Sequence, residues 1–202
     1  MRIVAISALF ALTTGVASAQ VSGLLNYPTP DVVGHREFQF SRINVGSGAK
    51  LSGPHEQCTN WVLGLFGKSE ISGILDNVGN AQTGLKFTPW SSETNSLGFG
   101  IQDFRGPSET PFVSFRHSAG NWNGYLGWQK DQTGYGIAGL DFTVSDRFCL
   151  ATECSTAAQG QLSFGLFYNL SETFSVTAIW SRPNNGLEAP SHQILFNYAF
   201  KV

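Results

Sequence analysis

Gly160-Gln161-Leu162-Ser163-Phe164-Gly165-Leu166-Phe167-Tyr168 alternates residue by residue, with Leu162, Phe164, Leu166 and Tyr168 on one side. After the polar break Asn169-Leu170-Ser171-Glu172, the pattern resumes over Phe174 to Trp180, where Phe174, Val176, Ala178 and Trp180 share a face. It returns at the C-terminus, where Ile194, Phe196, Tyr198, Phe200 and Val202 are each apolar or aromatic. A period of two is the signature of a β-strand, because successive side chains leave a pleated backbone on opposite faces. Three such strands in succession, each oily on one face and small or polar on the other, predict a sheet with one greasy side.

Two architectures satisfy that pattern. In a soluble sandwich the greasy face is a core. In a membrane barrel it faces lipid, while the small polar face lines the interior. Composition separates them. Charged residues make up 13% of the 202-residue chain, against roughly 25% in an average soluble domain. Aromatics are also 13%, and there are 23 glycines. A soluble β-protein would solvate its outer face with more Lys, Glu, Asp and Arg. The expected fold class is therefore all-β: a single antiparallel transmembrane β-barrel of about 10–12 strands. Trp61, Trp90, Trp122, Trp128 and Trp180 fit interfacial girdles. Phe164, Leu166, Tyr168, Phe174, Val176, Trp180, Phe196, Tyr198 and Phe200 are the expected lipid-facing or girdle residues.

The N-terminus gives an address. Arg2 precedes an apolar run from Ile3 to Leu12, and Ala17-Ser18-Ala19 is a small-residue cleavage signal before Gln20. Residues 1–19 therefore read as a secretory signal peptide, too short in its apolar part to span a bilayer as a helix. Residues 20–34, with Pro28 and Pro30 and no periodicity, are expected to be a linker or plug-like lead-in. Residues 35–202 form the expected barrel. The net charge of −2 leaves no basic footprint for nucleic acid. No cofactor or metal is expected, since His35, His55, His117 and His192 show no ligand spacing.

Further strands are expected at Glu37–Val45, at Trp61–Phe66 and Glu70–Leu75 around the turn Gly67-Lys68-Ser69, and at Thr83–Phe87, where Pro89 ends the run. Ser96–Gln102, Pro111–Arg116 and Trp122–Trp128 follow. Tyr135–Val144 shifts phase near Ala138, which suggests a bulge. Cys149 and Cys154 bracket a short stretch expected to be an outer loop from Ser145 to Ala157, closed by a Cys149–Cys154 disulfide with Cys58 left over. Gly64-Leu65-Phe66 before Ser69-Glu70 is echoed by Gly165-Leu166-Phe167 before Ser171-Glu172.

The alternating, aromatic C-terminal strand resembles the closing strand of bacterial outer-membrane barrels, which the barrel-assembly machinery recognises; here it ends in Val202 where such strands end in Phe or Trp. That resemblance implies the outer membrane, with its lipid and the assembly machinery as partners. A second resemblance is local. The stretch from Ala178 to Glu188 is similar to the C-terminal hairpin of outer-membrane lipid A deacylases, in which a strand carrying a His and a Ser precedes a Pro-Asn-x-Gly-x-Glu loop whose Glu orients the His. Pro183, Asn184, Gly186 and Glu188 match the loop, but Trp180 stands at the His position. Without that base a Ser has nothing to activate it, so no catalytic residue is expected, and the loop reads as a turn chosen for its backbone geometry. The expected function is a structural, narrow-channel or surface-interaction role in the outer membrane. The alternatives are a soluble secreted β-sandwich that binds glycans and a lipid A-modifying enzyme.

Overall fold

The computed structural model describes residues 23–47, 56–76, 81–104, 109–130, 133–158, 160–186 and 188–202. Residues 1–19, expected to be a signal peptide, and His55 lie outside the described residues. Twelve strands run in chain order: β1 (Glu37–Ser47), β2 (Glu56–Leu65), β3 (Ser69–Asp76), β4 (Ala81–Ser91), β5 (Asn95–Gln102), β6 (Thr110–Ala119), β7 (Trp122–Lys130), β8 (Gly134–Ser145), β9 (Phe148–Ser155), β10 (Gln161–Asn169), β11 (Phe174–Pro183) and β12 (Ser191–Lys201). Each pairs antiparallel with the next, and β1 pairs with β12 from Glu37↔Lys201 to Ser47↔Ser191. The sheet is a closed barrel. Closure leaves no strand edge with unpaired amides, the condition a sheet must meet in hydrocarbon.

The alternation resolves as lipid-type outside and filled lumen inside. Phe164, Trp180 and Phe196 are 49%, 40% and 40% exposed on the outer surface. Leu166, Tyr168, Tyr198 and Phe200 are exposed beside them, and Phe174 and Val176 are half-buried among the outward residues. The intervening positions turn inward and are buried: Ser163, Phe167, Thr177, Ile179, Ser181, Leu195 and Asn197. That arrangement excludes the β-sandwich, which needs Phe164, Trp180 and Phe196 between two stacked sheets. Aromatic pairs cross adjacent outer strands, with Phe164–Trp180 centroids at 6.0 Å and Phe174–Tyr198 at 4.6 Å, a stabilising contact of the cross-strand kind.

Four expectations are corrected. The stretch from Phe148 to Ser155 is strand β9, not an outer loop. Cys149 and Cys154 lie five residues apart along it, about 16 Å at ~3.3 Å per residue, and point to opposite faces. A disulfide needs Cα atoms within about 7 Å; Cys149 and Cys154 are not joined. Second, the single connection expected from Ser145 to Ala157 is two, one before β9 and one after it, at opposite rims. One rim carries the turns 66–68, 92–94, 120–121, 146–147 and 170–173, and the opposite rim is where β1 ends and β2 begins, where β3 ends and β4 begins, and so on round the barrel. Third, β4 continues through Pro89 to Ser91. The proline cannot donate to the ladder, and the register shifts there, between Phe87 and Trp90. Fourth, the irregularity of β8 falls between Thr143 and Ser145, not at Ala138.

Candidate functional site

The lumen is not empty. Residues 23–34 enter from the turn-bearing rim, just before β1, and run inside it. At that rim the Arg36 N–H donates to the Gly64 carbonyl at 3.0 Å and the Glu37 N–H to Gly34 at 2.9 Å. His35 Nδ1 accepts the Phe66 N–H at 3.0 Å, and the two rings stack at 6.1 Å. Residues 23–34 thus form a plug within the barrel.

Backbone amides buried without partners are costly, so a chain inside a barrel must find donors and acceptors on the wall. One half of the plug finds them on β9, β10 and β12. Glu153 Oε2 accepts the Leu25 N–H at 3.1 Å, and Oε1 accepts the Asn26 N–H at 2.6 Å and Asn26 Nδ2 at 2.8 Å. Asn26 Nδ2 also reaches Ser163 Oγ at 3.0 Å, and its Oδ1 accepts from Gln193 Nε2 at 3.1 Å. The Tyr27 hydroxyl donates to Ser155 Oγ at 2.9 Å. Leu24 and Leu25 pack against Ile43, Ala151, Phe167, Ile179 and Leu195, the apolar members of the inward face.

The other half is held by β3 to β6. Glu70 Oε2 accepts the Val33 N–H at 3.0 Å while its Oε1 pairs with Lys86 Nζ at 3.2 Å, both side chains fully buried. Lys86 Nζ donates onward to the Asp31 carbonyl, and Thr88 Oγ1 donates to the Pro30 carbonyl. The Asp31 carboxylate takes Arg116 Nη1 at 2.5 Å and Ser96 Oγ at 3.2 Å. Buried ion pairs hold position more than they add stability, because desolvation offsets much of the attraction. Here two of them fix one short segment. Further along the wall, Asp141 accepts from Asn123 Nδ2 at 2.8 Å and from the Tyr125 hydroxyl at 2.7 Å, and Gln129 Nε2 donates to Gln102 at 2.6 Å.

Gly64, Gly98 and Gly165 mark where the plug passes. A Cβ on Gly64 would sit 2.0 Å from the Gly34 carbonyl oxygen, one on Gly98 would sit 2.7 Å from Pro30 Cα, and one on Gly165 would sit 2.1 Å from Leu25 Cδ2. The echoed glycines Gly64 and Gly165 are therefore two of the points at which the wall makes room for the chain inside it.

The deacylase-like loop is a turn. Asn184 Nδ2 donates to the Ser155 and Ala157 carbonyls at 2.8 and 3.0 Å, and Gly186 has φ +65°. Glu188 Oε1 lies 3.4 Å from Asn185 Nδ2, and Trp180 faces outward, paired across the ladder with His192. His117 Nδ1 meets Asn95 Oδ1 at 2.9 Å on the turn rim. The described residues hold no cluster of His, Cys, Asp and Glu suited to a metal ion.

Sequence reasoning missed Asp31, Glu70, Lys86, Arg116 and Glu153 as a set. Their signal was present: in a chain with few charges, Lys86, Arg116 and Glu153 each sit inside a strand on the inward phase. A charge that faces the lumen of a barrel needs a partner there, and the plug supplies or completes it.

Fold and site together define a small closed membrane-type barrel with an occupied lumen. No protein-family model and no curated protein sequence matches the chain. Solved structures do. A NanC porin is similar with a TM-score of 0.63 at 10% identity, covering 80% of this chain and 98% of that one. A KdgM porin gives a TM-score of 0.63 at 10% identity over 80% and 99% of the two chains. The KdgM porin in complex with disordered oligogalacturonate gives 0.61 at 9% identity over 81% and 99%. At these identities the likeness is one of fold: the chain has the twelve-stranded antiparallel barrel of bacterial outer-membrane porins.

Proposed function

We propose that this chain is a narrow outer-membrane channel closed by its own N-terminal segment. The single observation that carries the reading is the contrast between plug and wall. Behind residues 23–34 the barrel interior presents Gln39, Ser41, Asn60, Ser72, Ser96, Lys86, Arg116 and Glu153, a polar lining that a solid structural core does not require. Withdrawal of the plug would leave an aqueous path bounded by these groups. Twelve strands give a lumen wider than an eight-stranded barrel, whose interior is just filled by side chains, and narrower than a sixteen-stranded porin.

Export by residues 1–19, contact of the outward residues with lipid, and insertion by assembly machinery that recognises β12 belong to the same reading. The porin-type likeness supports it, as does the exposure of Phe164, Trp180, Tyr198 and Phe200. No enzymatic role is proposed: Trp180 stands where the deacylase-like strand would carry its His.

The test is electrical. Full-length protein reconstituted in planar bilayers is expected to be closed most of the time, and an Asn26→Ala/Asp31→Ala variant is expected to show current steps. A variant that shows heat-modifiable migration on a gel, yet passes no current, would reject the channel in favour of a structural role.

A further inference from the structure

The way the plug is held says what kind of ligand the wall is built for. Within residues 24–33 the wall reads mainly main-chain groups. Glu153 takes two successive amides, Leu25 and Asn26, and Glu70 takes the Val33 amide. Lys86 and Thr88 take the Asp31 and Pro30 carbonyls. These contacts come from buried side chains of the wall and not from strand ladders. Internally the Leu24 N–H donates to the Tyr27 carbonyl at 3.1 Å, and Gly23 forms a bridge with Pro28.

Side-chain identity is read at Asn26, Tyr27 and Asp31. Hollows made by missing Cβ atoms at Gly98, Gly139 and Gly165 receive Pro30, Leu24 and Leu25. Main-chain hydrogen bonds for affinity, with a few side-chain pockets for choice, is how extended peptides are recognised elsewhere. The resident also leaves wall donors unspent. Arg116 is nine-tenths buried and gives Nη1 to Asp31, while its Nε and the neighbouring buried Ser114 Oγ have no hydrogen-bond partner among the described residues.

We infer that the lumen is a recognition site for an extended, mostly apolar peptide carrying one Asp five residues after an Asn, and that residues 23–34 are its resident occupant. A peptide of that class supplied in trans takes the same place once the resident is loosened. The inference rests on the plugged-channel reading for its biological sense, but its test does not depend on conduction.

The tethered segment acts at an effective concentration of about millimolar for a short flexible connection, so it must be weakened before a soluble competitor shows. The full-length chain in detergent is titrated into a fluorescent peptide of residues 23–34, and binding is followed by anisotropy, with heat-modifiable migration as the check of folding. The peptide should bind Asp31→Asn protein saturably, at least roughly tenfold more tightly than it binds wild type, because the wild-type site is occupied. Asn26→Ala is the second loosened variant and should behave alike. Binding should weaken by a similar factor when the peptide carries Asn in place of its Asp, and when Arg116→Gln is combined with Asp31→Asn in the barrel.

Equal binding by a scrambled peptide, or no binding to either folded variant, would overturn the inference. If the loosened variants bind peptide but pass no current, the channel reading fails and the peptide site stands. If they conduct and peptide neither binds nor blocks them, the site fails and the channel stands.

Discussion

Glu153→Ala is the sharpest perturbation of the plug. Glu153 is 2% exposed and accepts three hydrogen bonds from the plug, at 3.1, 2.6 and 2.8 Å. A net value of about 1 kcal/mol for each puts the loss near ~3 kcal/mol, before the cost of leaving the Leu25 and Asn26 amides buried without acceptors. At 1.4 kcal/mol per decade, that is roughly a hundredfold shift toward release of residues 24–27. The contacts of Asp31 and Val33 with the opposite wall remain, so only one limb of the plug swings free. In planar bilayers the expected record is frequent openings to a partial conductance, from a protein whose heat-modifiable band is unchanged. Glu153→Gln keeps one acceptor oxygen and should fall between alanine and wild type. A folded Glu153→Ala barrel as silent as wild type would refute the claim that these three bonds hold the lumen shut.

Three further outcomes follow from the same geometry. Arg116→Ala should loosen the other limb, and the Asp31→Ala/Arg116→Ala double variant should cost less than the sum of the singles, with a coupling of about 0.5–3 kcal/mol in unfolding measurements. Gly98→Val places a side chain where Pro30 Cα lies 2.7 Å from the ideal Cβ; it should open the lumen while the barrel still closes, as reported by conductance together with heat-modifiable migration. Cys149 and Cys154 are not joined, so intact mass should show both as reduced thiols, and folded protein should migrate identically with and without reductant. A loss of two hydrogens located to Cys149 and Cys154 would contradict the placement of β9.

Much of the barrel was legible in the sequence because the alternation is strict where outward residues are large. Phe164, Trp180, Phe196 and their neighbours declare a face, and closure is the way such a face avoids a bare edge. Strand β9 was not legible. Phe148 to Ser155 carries Cys149, Ala151, Glu153 and Ser155 inward and only Phe148 and Leu150 as large outward residues, and two cysteines at short spacing read more readily as a staple. The plug lacked periodicity altogether, since its hydrogen bonds go to wall side chains and not to a ladder. What the sequence did contain was its imprint: glycines at 64, 98 and 165, and isolated charges at Lys86, Arg116 and Glu153 on the inward phase. Each makes sense only when the segment they face is known, and sequence separation alone does not bring Asn26 to Glu153.

The most direct measurement is a crosslink between plug and wall. Asn26 Nδ2 lies 3.0 Å from Ser163 Oγ, so Asn26→Cys and Ser163→Cys, in a chain with Cys58, Cys149 and Cys154 replaced by Ser, bring two thiols together inside the lumen. Oxidation should join them in the folded barrel and abolish all openings, and reductant should restore openings at the level of an Asn26→Ala variant. A folded barrel that forms no crosslink, or one that conducts equally oxidised and reduced, would contradict a lumen closed by residues 23–34.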